Sequence, residues 1–129
     1  MIRQQMILSR GTGGTTSKYH NKKVVIDGIK FDSKKESLRY QQLKLLEQVG
    51  EIKCLELQKE FPLQPSFKKN GKTYRKISYI ADFYYYDNHL KHYVVEDVKA
   101  SKSFQTDVYK MKKKMFEYKY RSLELTEII

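Results

Sequence analysis

Apolar and polar positions change period several times along the chain, and each change predicts an element. Between Lys22 and Phe31 two short apolar runs flank Asp27-Gly28, which predicts two strands joined by a tight turn. Ser33-x-x-Glu36 then reads as a capping box. Leu38, Leu43, Leu45, Leu46 and Val49 follow at helical spacing and Gly50 is a stop, so a helix is expected over 33–49. Ile52 to Phe67 predicts two short extended stretches interrupted by Pro62 and Pro65, which belong at a sheet edge or in irregular strands. Lys68-Lys69-Asn70-Gly71-Lys72 predicts a turn, and Tyr74 to Tyr86, rich in β-branched and aromatic residues, a strand. Asp87-Asn88 turns the chain into an antiparallel partner over Leu90 to Lys99. A second helix is expected from Thr106 to Tyr120, with Val108, Met111, Met115 and Tyr118 as its apolar face. Leu123 to Ile128 alternates as a final strand. The order predicts an α/β fold with a short N-terminal hairpin. Residues 9–17 are small, polar and glycine-rich, so 1–17 is expected to be a flexible arm and 18–129 one domain, with no internal repeat.

Charge narrows the partners. Among 129 residues, 26 Lys and Arg face 15 Asp and Glu, a formal net charge of +11. Such an excess predicts a polyanionic partner, of which nucleic acid is the commonest. A membrane surface is the rival, but no apolar run spans a bilayer, and the first ten residues are too polar for a signal peptide. No membrane association and a cytoplasmic location are expected. The single cysteine, Cys54, excludes an internal disulfide, and three histidines make a poor zinc set. His89 and His92 read as exposed hairpin residues. Eleven tyrosines are many for this length, and most are expected to line a core or sheet face.

The candidate chemistry is carboxylate and lysine. Asp82 sits inside the apolar strand Tyr79-Ile80-Ala81-Asp82-Phe83, where an acid is costly unless paired or bound to a cation. Val95-Glu96-Asp97-Val98-Lys99 follows, and strand alternation puts Asp97 and Lys99 on one face with Glu96 on the other. Two carboxylates brought together across a hairpin repel, and a hard divalent ion between them relieves the repulsion. Lys99 would then stand beside the ion, placed to orient water or to stabilise developing negative charge. A structural salt bridge, Asp97 pairing with Lys99 or with a neighbouring basic residue, is the alternative; the combination in so basic a chain favours the metal site. Glu36 is explained by its cap, and from spacing alone that is the better account.

Glu36, Asp82 and Asp97-x-Lys99, taken in order, resemble the PD-(D/E)xK nuclease superfamily. More closely, the chain from Lys18 resembles a family of phage and prophage proteins within it, DUF1064. The stretches that carry the resemblance are 17–23, Phe31-Asp32-Ser33-Lys34-Lys35-Glu36, Tyr79-Ile80-Ala81-Asp82-Phe83, Val95-Glu96-Asp97-Val98-Lys99 and 106–110. The resemblance implies a restriction-endonuclease-like αβββαβ core, a mixed sheet flanked by helices. It implies Mg²⁺ or Mn²⁺ held by Asp82 and Asp97, a catalytic role for Lys99, and a place for Glu36 in the same site. Ala81 stands where the superfamily motif has proline, a position that varies.

Two basic clusters are candidates for DNA binding. Lys68, Lys69, Lys72, Arg75 and Lys76 surround one turn, with no acid between residues 66 and 76. Lys110, Lys113 and Lys114 lie on the second helix, and the resemblance, whose family carries a basic residue there, makes Lys110 the candidate to approach a scissile phosphate. Such charges read phosphate and carry no sequence preference. The leading expectation is a metal-dependent endonuclease acting on DNA in phage recombination, replication or packaging, inside the bacterial host. A non-catalytic DNA-binding module on the same fold and an interaction factor for a phage or host protein are the alternatives. A homodimer is compatible with cutting two strands.

Overall fold

The computed structural model describes residues 23–100 and 105–129; the expected arm, 1–17, lies outside them. Strands β1 (Val24–Ile26) and β2 (Ile29–Phe31) form the expected hairpin. Its turn residues Asp27 and Gly28 both have positive φ, 54° and 76°, as a two-residue turn that follows the strand twist requires. Helix α1 (Lys34–Gln48) starts at Ser33, whose hydroxyl accepts the Glu36 N–H at 3.1 Å. Strands β3 (Ile52–Gln64), β6 (Ile77–Asp87), β7 (His92–Val98) and β8 (Leu125–Ile128) form a four-stranded sheet in the order β3-β6-β7-β8. β3, β6 and β7 pair antiparallel and β8 runs parallel to β7, joined to it through helix α2 (Asp107–Lys119). Among the described residues the architecture is mixed α/β, a mixed sheet with two helices. Between β3 and β6 a small hairpin, β4 (Phe67–Lys69) and β5 (Lys72–Tyr74), turns on Asn70-Gly71, again with positive φ.

Three expectations need correction. Ile52 to Gln64 is one strand, not two stretches: Pro62 is tolerated because β3 is a sheet edge, and register shifts near Lys53 and Pro62 absorb the irregularity. Tyr74 belongs to the small hairpin, so the long strand starts at Ile77. The buried helix faces also differ from those the apolar spacing predicted. In α1 the inward residues are Glu36, Ser37, Tyr40 and Leu43, while Leu38, Leu45 and Val49 are exposed. In α2 Phe116 is buried and Tyr109, Met115 and Tyr120 pack beside it, while Val108, Met111 and Tyr118 are exposed. Leu43, Leu46 and Met115 do face the core as the spacing predicted; beside them stand aromatic residues, and in α1 also Glu36 and Ser37, which an aliphatic count cannot see.

The core is divided, and the division places the site. One cluster lies under α1 and includes Phe31, Tyr40, Leu43, Phe83 and Tyr85; the other packs α2 and includes Phe61, Tyr79, Ala81, Val95 and Phe116. Asp82 falls between Ala81 of one cluster and Phe83 of the other. Along β7, Val94 and Val98 pack against the first cluster and Val95 belongs to the second. Alternation therefore sends Glu96 towards α1, where Arg39 holds it with two hydrogen bonds, 2.8 and 2.5 Å, and the Tyr85 hydroxyl donates to it.

Candidate active site

β6 and β7 pair from Asp87↔His92 as far as Phe83↔Glu96, and the recorded ladder ends there. The next facing residues in that register are Asp82 and Asp97. The Val98 N–H donates to the Asp82 Oδ2 at 2.8 Å. β7 stays paired to β8 through this stretch, Asp97 opposite Glu127 and Val98 opposite Ile128, and the Lys99 N–H donates to the Ile128 carbonyl at 2.8 Å. On the other side of β6, Leu57↔Phe83 and Lys59↔Ala81 bracket Gln58 opposite Asp82. One polar row thus crosses the sheet, Gln58, Asp82, Asp97 and Glu127, with one residue from each strand.

An open cavity of about 600 Å³ lies at the middle of this row, lined by Asp32 to Glu36 at the start of α1 and by Asp82 and Asp97 to Ala100. It brings together the four residues singled out from the sequence: Glu36, Asp82, Asp97 and Lys99. Lys99 Nζ is 2.8 Å from the Asp97 Oδ2 and sits 3.3 Å from the centroid of the Tyr109 ring on α2. The Tyr109 hydroxyl donates in turn to Glu127 at 2.7 Å, which anchors the ring over the lysine. From α1, Lys35 Nζ donates to the Lys99 carbonyl at 2.9 Å. Gln58 Nε2 lies 3.4 Å from both Glu36 Oε1 and Asp82 Oδ1, tying the two carboxylates together. The Glu36 backbone N–H meets the Ser33 hydroxyl at the helix start, and its side chain lines the cavity near Gln58.

The electrostatics are strained around Asp82. Burial, then hydrogen bonding to Asp97 and the charge of Glu36, push its pKa up from 3.8 to about 8, against the Val98 N–H, which lowers it. Tyr79 buries its hydroxyl nearby, and burial followed by the Asp97 charge pushes its pKa far above the usual range. Two buried polar atoms here have no hydrogen-bond partner among the described residues, Gln58 Oε1 and the Tyr79 hydroxyl. The lining holds four acids, Asp32, Glu36, Asp82 and Asp97, against three lysines, Lys34, Lys35 and Lys99. With Asp82 holding its proton at neutral pH these charges balance, in a chain whose net charge is +11. Lys34 and Lys35 gain nothing from the positive end of α1, where the helix dipole favours anions.

Sequence reasoning missed Gln58, Lys35, Tyr109 and Glu127. Gln58 has φ of 55°, unusual for a residue with a side chain, and no local pattern announces it. Lys35 was visible as the neighbour of Glu36 in the first helical turn. The basic residues proposed for DNA lie elsewhere. Lys110 and Lys114 are exposed on α2 and do not line the cavity, and Lys113 pairs with Glu127 at 3.3 Å. Lys68, Lys69, Lys72, Arg75 and Lys76 are all exposed on or beside the β4–β5 hairpin. His89 and His92 are exposed, as expected. No helix among the described residues is long and apolar enough to cross a membrane.

Comparison with curated proteins and with solved structures gives no match. A family described as a protein of unknown function, DUF1064, matches residues 16–129, and the chain belongs to that family.

Proposed function

We propose that this chain is a metal-dependent endonuclease of the PD-(D/E)xK type, with a restriction-endonuclease-like core, that hydrolyses phosphodiester bonds in DNA. The observation that carries the reading is the meeting of Glu36, Asp82, Asp97 and Lys99 at one open cavity, at the point where β6 and β7 part. The order α1, β3, β6, β7, α2, β8 supports it, being the order the resemblance implies.

The donor set suits Mg²⁺ or Mn²⁺. Its ligands would be hard carboxylate oxygens, few in number, in a cavity with space for water and phosphate. The raised proton affinity of Asp82 supports the reading, since a bound cation would favour its charged form. Asp82, Asp97 and Glu36 are the residues that would hold it, although among the described residues no three Asp, Glu, His or Cys side chains converge on one ion-sized point. When bound, the ion supplies Lewis acidity towards the phosphate and eases ionisation of a water. The chain's own contribution is placement. Lys99, fixed between Asp97 and the Tyr109 ring, presents positive charge where the phosphoryl group gains negative charge. Lys34 and Lys35 offer charges for the phosphates on either side. With a divalent ion bound and Asp82 ionised, the lining would go from balanced charge to one net positive.

The test is incubation with supercoiled, linear, single-stranded and four-way-junction DNA, with Mg²⁺, with Mn²⁺ and with chelator. Cutting should need the metal and fall on the order of a thousandfold or more in Asp97→Ala. Binding without cutting on every substrate would defeat the reading and favour a DNA-binding module; failure to bind DNA at low salt would favour a protein-interaction role. Gln58→Ala tests the support beneath the carboxylates. It should raise the Mn²⁺ concentration for half-occupancy, measured by calorimetry, by roughly tenfold to a hundredfold while the fold persists.

A further inference from the structure

Every residue from Pro65 to Lys76 is exposed, so the β4–β5 hairpin stands clear of both core clusters. Phe67 and Tyr74 face each other across it, with ring centroids 4.8 Å apart and planes within 8°. They remain 42% and 39% exposed, and neither belongs to a core cluster of the described residues. Lys72 Nζ lies 5.2 Å from the Tyr74 ring centroid. Lys68, Lys69 and Arg75 add charge, Lys76 pairs with Glu60 at 2.8 Å, and no acid occurs between residues 66 and 76.

Cross-strand pairing explains why the rings meet, and β-branched residues would pair a hairpin equally well. It does not explain two uncovered aromatic rings among cations and without acids. A partner that presents phosphate charge together with flat apolar faces satisfies both features. Duplex DNA conceals those faces in its stack, whereas unpaired bases offer them.

We propose that the β4–β5 hairpin is a stacking platform for unpaired bases, so that the preferred DNA carries a single-stranded arm or a branch. This rests on the nuclease reading for its choice of polyanion and adds a substrate class to it. The hairpin is also suitably near. β6 runs from its base at Ile77 to Asp82, five residues on, or roughly 17 Å, about the rise of five base pairs.

The experiment is fluorescence anisotropy of the full chain in chelator, with a labelled forked DNA and a blunt duplex of the same paired sequence. Vesicles of phosphatidylserine and phosphatidylcholine serve as the competing surface. Phe67→Ile with Tyr74→Val keeps a β-branched cross-strand pair and removes only the rings; a thermal melt checks that it folds. The wild type should prefer the fork by roughly tenfold, and the variant should lose that preference at unchanged duplex affinity. Equal affinity for fork and duplex, a preference that survives in the variant, or binding to vesicles in place of DNA would overturn the proposal. Metal-dependent cutting with no fork preference would sink the platform and leave the nuclease standing; no DNA binding at all would sink both.

Discussion

Asp82→Asn is expected to abolish metal-dependent cleavage and, at the same time, to make the metal-free protein more stable above neutral pH. The Asp82 pKa stands at about 8 in the folded protein against an ordinary 3.8, because burial, Asp97 and Glu36 all disfavour its charge. The native state therefore keeps a proton that the unfolded chain releases. That contribution to stability is fully present below about pH 4 and is lost as pH rises through about 8. Asparagine has the same shape and no proton to lose. The melting temperatures of variant and wild type, compared in chelator, should separate across this window and run parallel beyond it. A gap of order a few kcal/mol at pH 9, several degrees in Tm for a chain of this size, is expected. Mg²⁺ should narrow the gap by stabilising only the wild type, since a ligand that binds the native state alone shifts the equilibrium by mass action. A wild type whose stability ignores pH between 4 and 8, or an Asn variant no more stable at pH 9, would refute the strained carboxylate.

The site was more legible than the packing around it, for physical reasons. Strand alternation is strictly twofold, so Asp97 and Lys99 could be assigned one face and Glu96 the other from their spacing. An acid amid Tyr79, Ile80, Ala81 and Phe83 is anomalous on its own. Asp27-Gly28, Asn70-Gly71 and Ser33 were legible because left-handed turns and helix caps admit few residue types. The helix faces were legible only in part, through Leu43, Leu46 and Met115. α1 turns inward the face that carries Glu36 and Tyr40, so Leu38 and Leu45 are left in solvent. Gln58 was invisible for a different reason: its importance comes from a positive φ and from standing opposite Asp82, and both depend on a register set by residues far along the chain.

Glu96→Ala should be among the most destabilising single changes in the chain, although Glu96 touches neither cavity nor solvent. It is 1% exposed and receives the Arg39 guanidinium through two bonds, with the Tyr85 hydroxyl as a third donor. The Arg39 pKa is raised, chiefly by its hydrogen bonding to Glu96, the mark of a cation that its partner stabilises. Removing the acid strands a half-buried guanidinium and a buried phenol, at a cost of about 3–5 kcal/mol. Against the 5–15 kcal/mol of a typical domain, that brings the unfolding midpoint within reach of mild heating. Chemical denaturation measures it, and a loss under about 1 kcal/mol would mean that the pair is not held as described. Replacing all three groups by apolar residues, Arg39→Met, Tyr85→Phe and Glu96→Leu, should recover most of that stability, because desolvation of the charges offsets much of their attraction. What the apolar set cannot reproduce is direction. The pair fixes α1, which carries Glu36, against β7, which carries Asp97, with a geometry that methylene contacts do not specify. The triple variant is therefore expected to fold as well as the wild type yet cut DNA more slowly. Full activity in it would show that packing alone sets the spacing of the carboxylates.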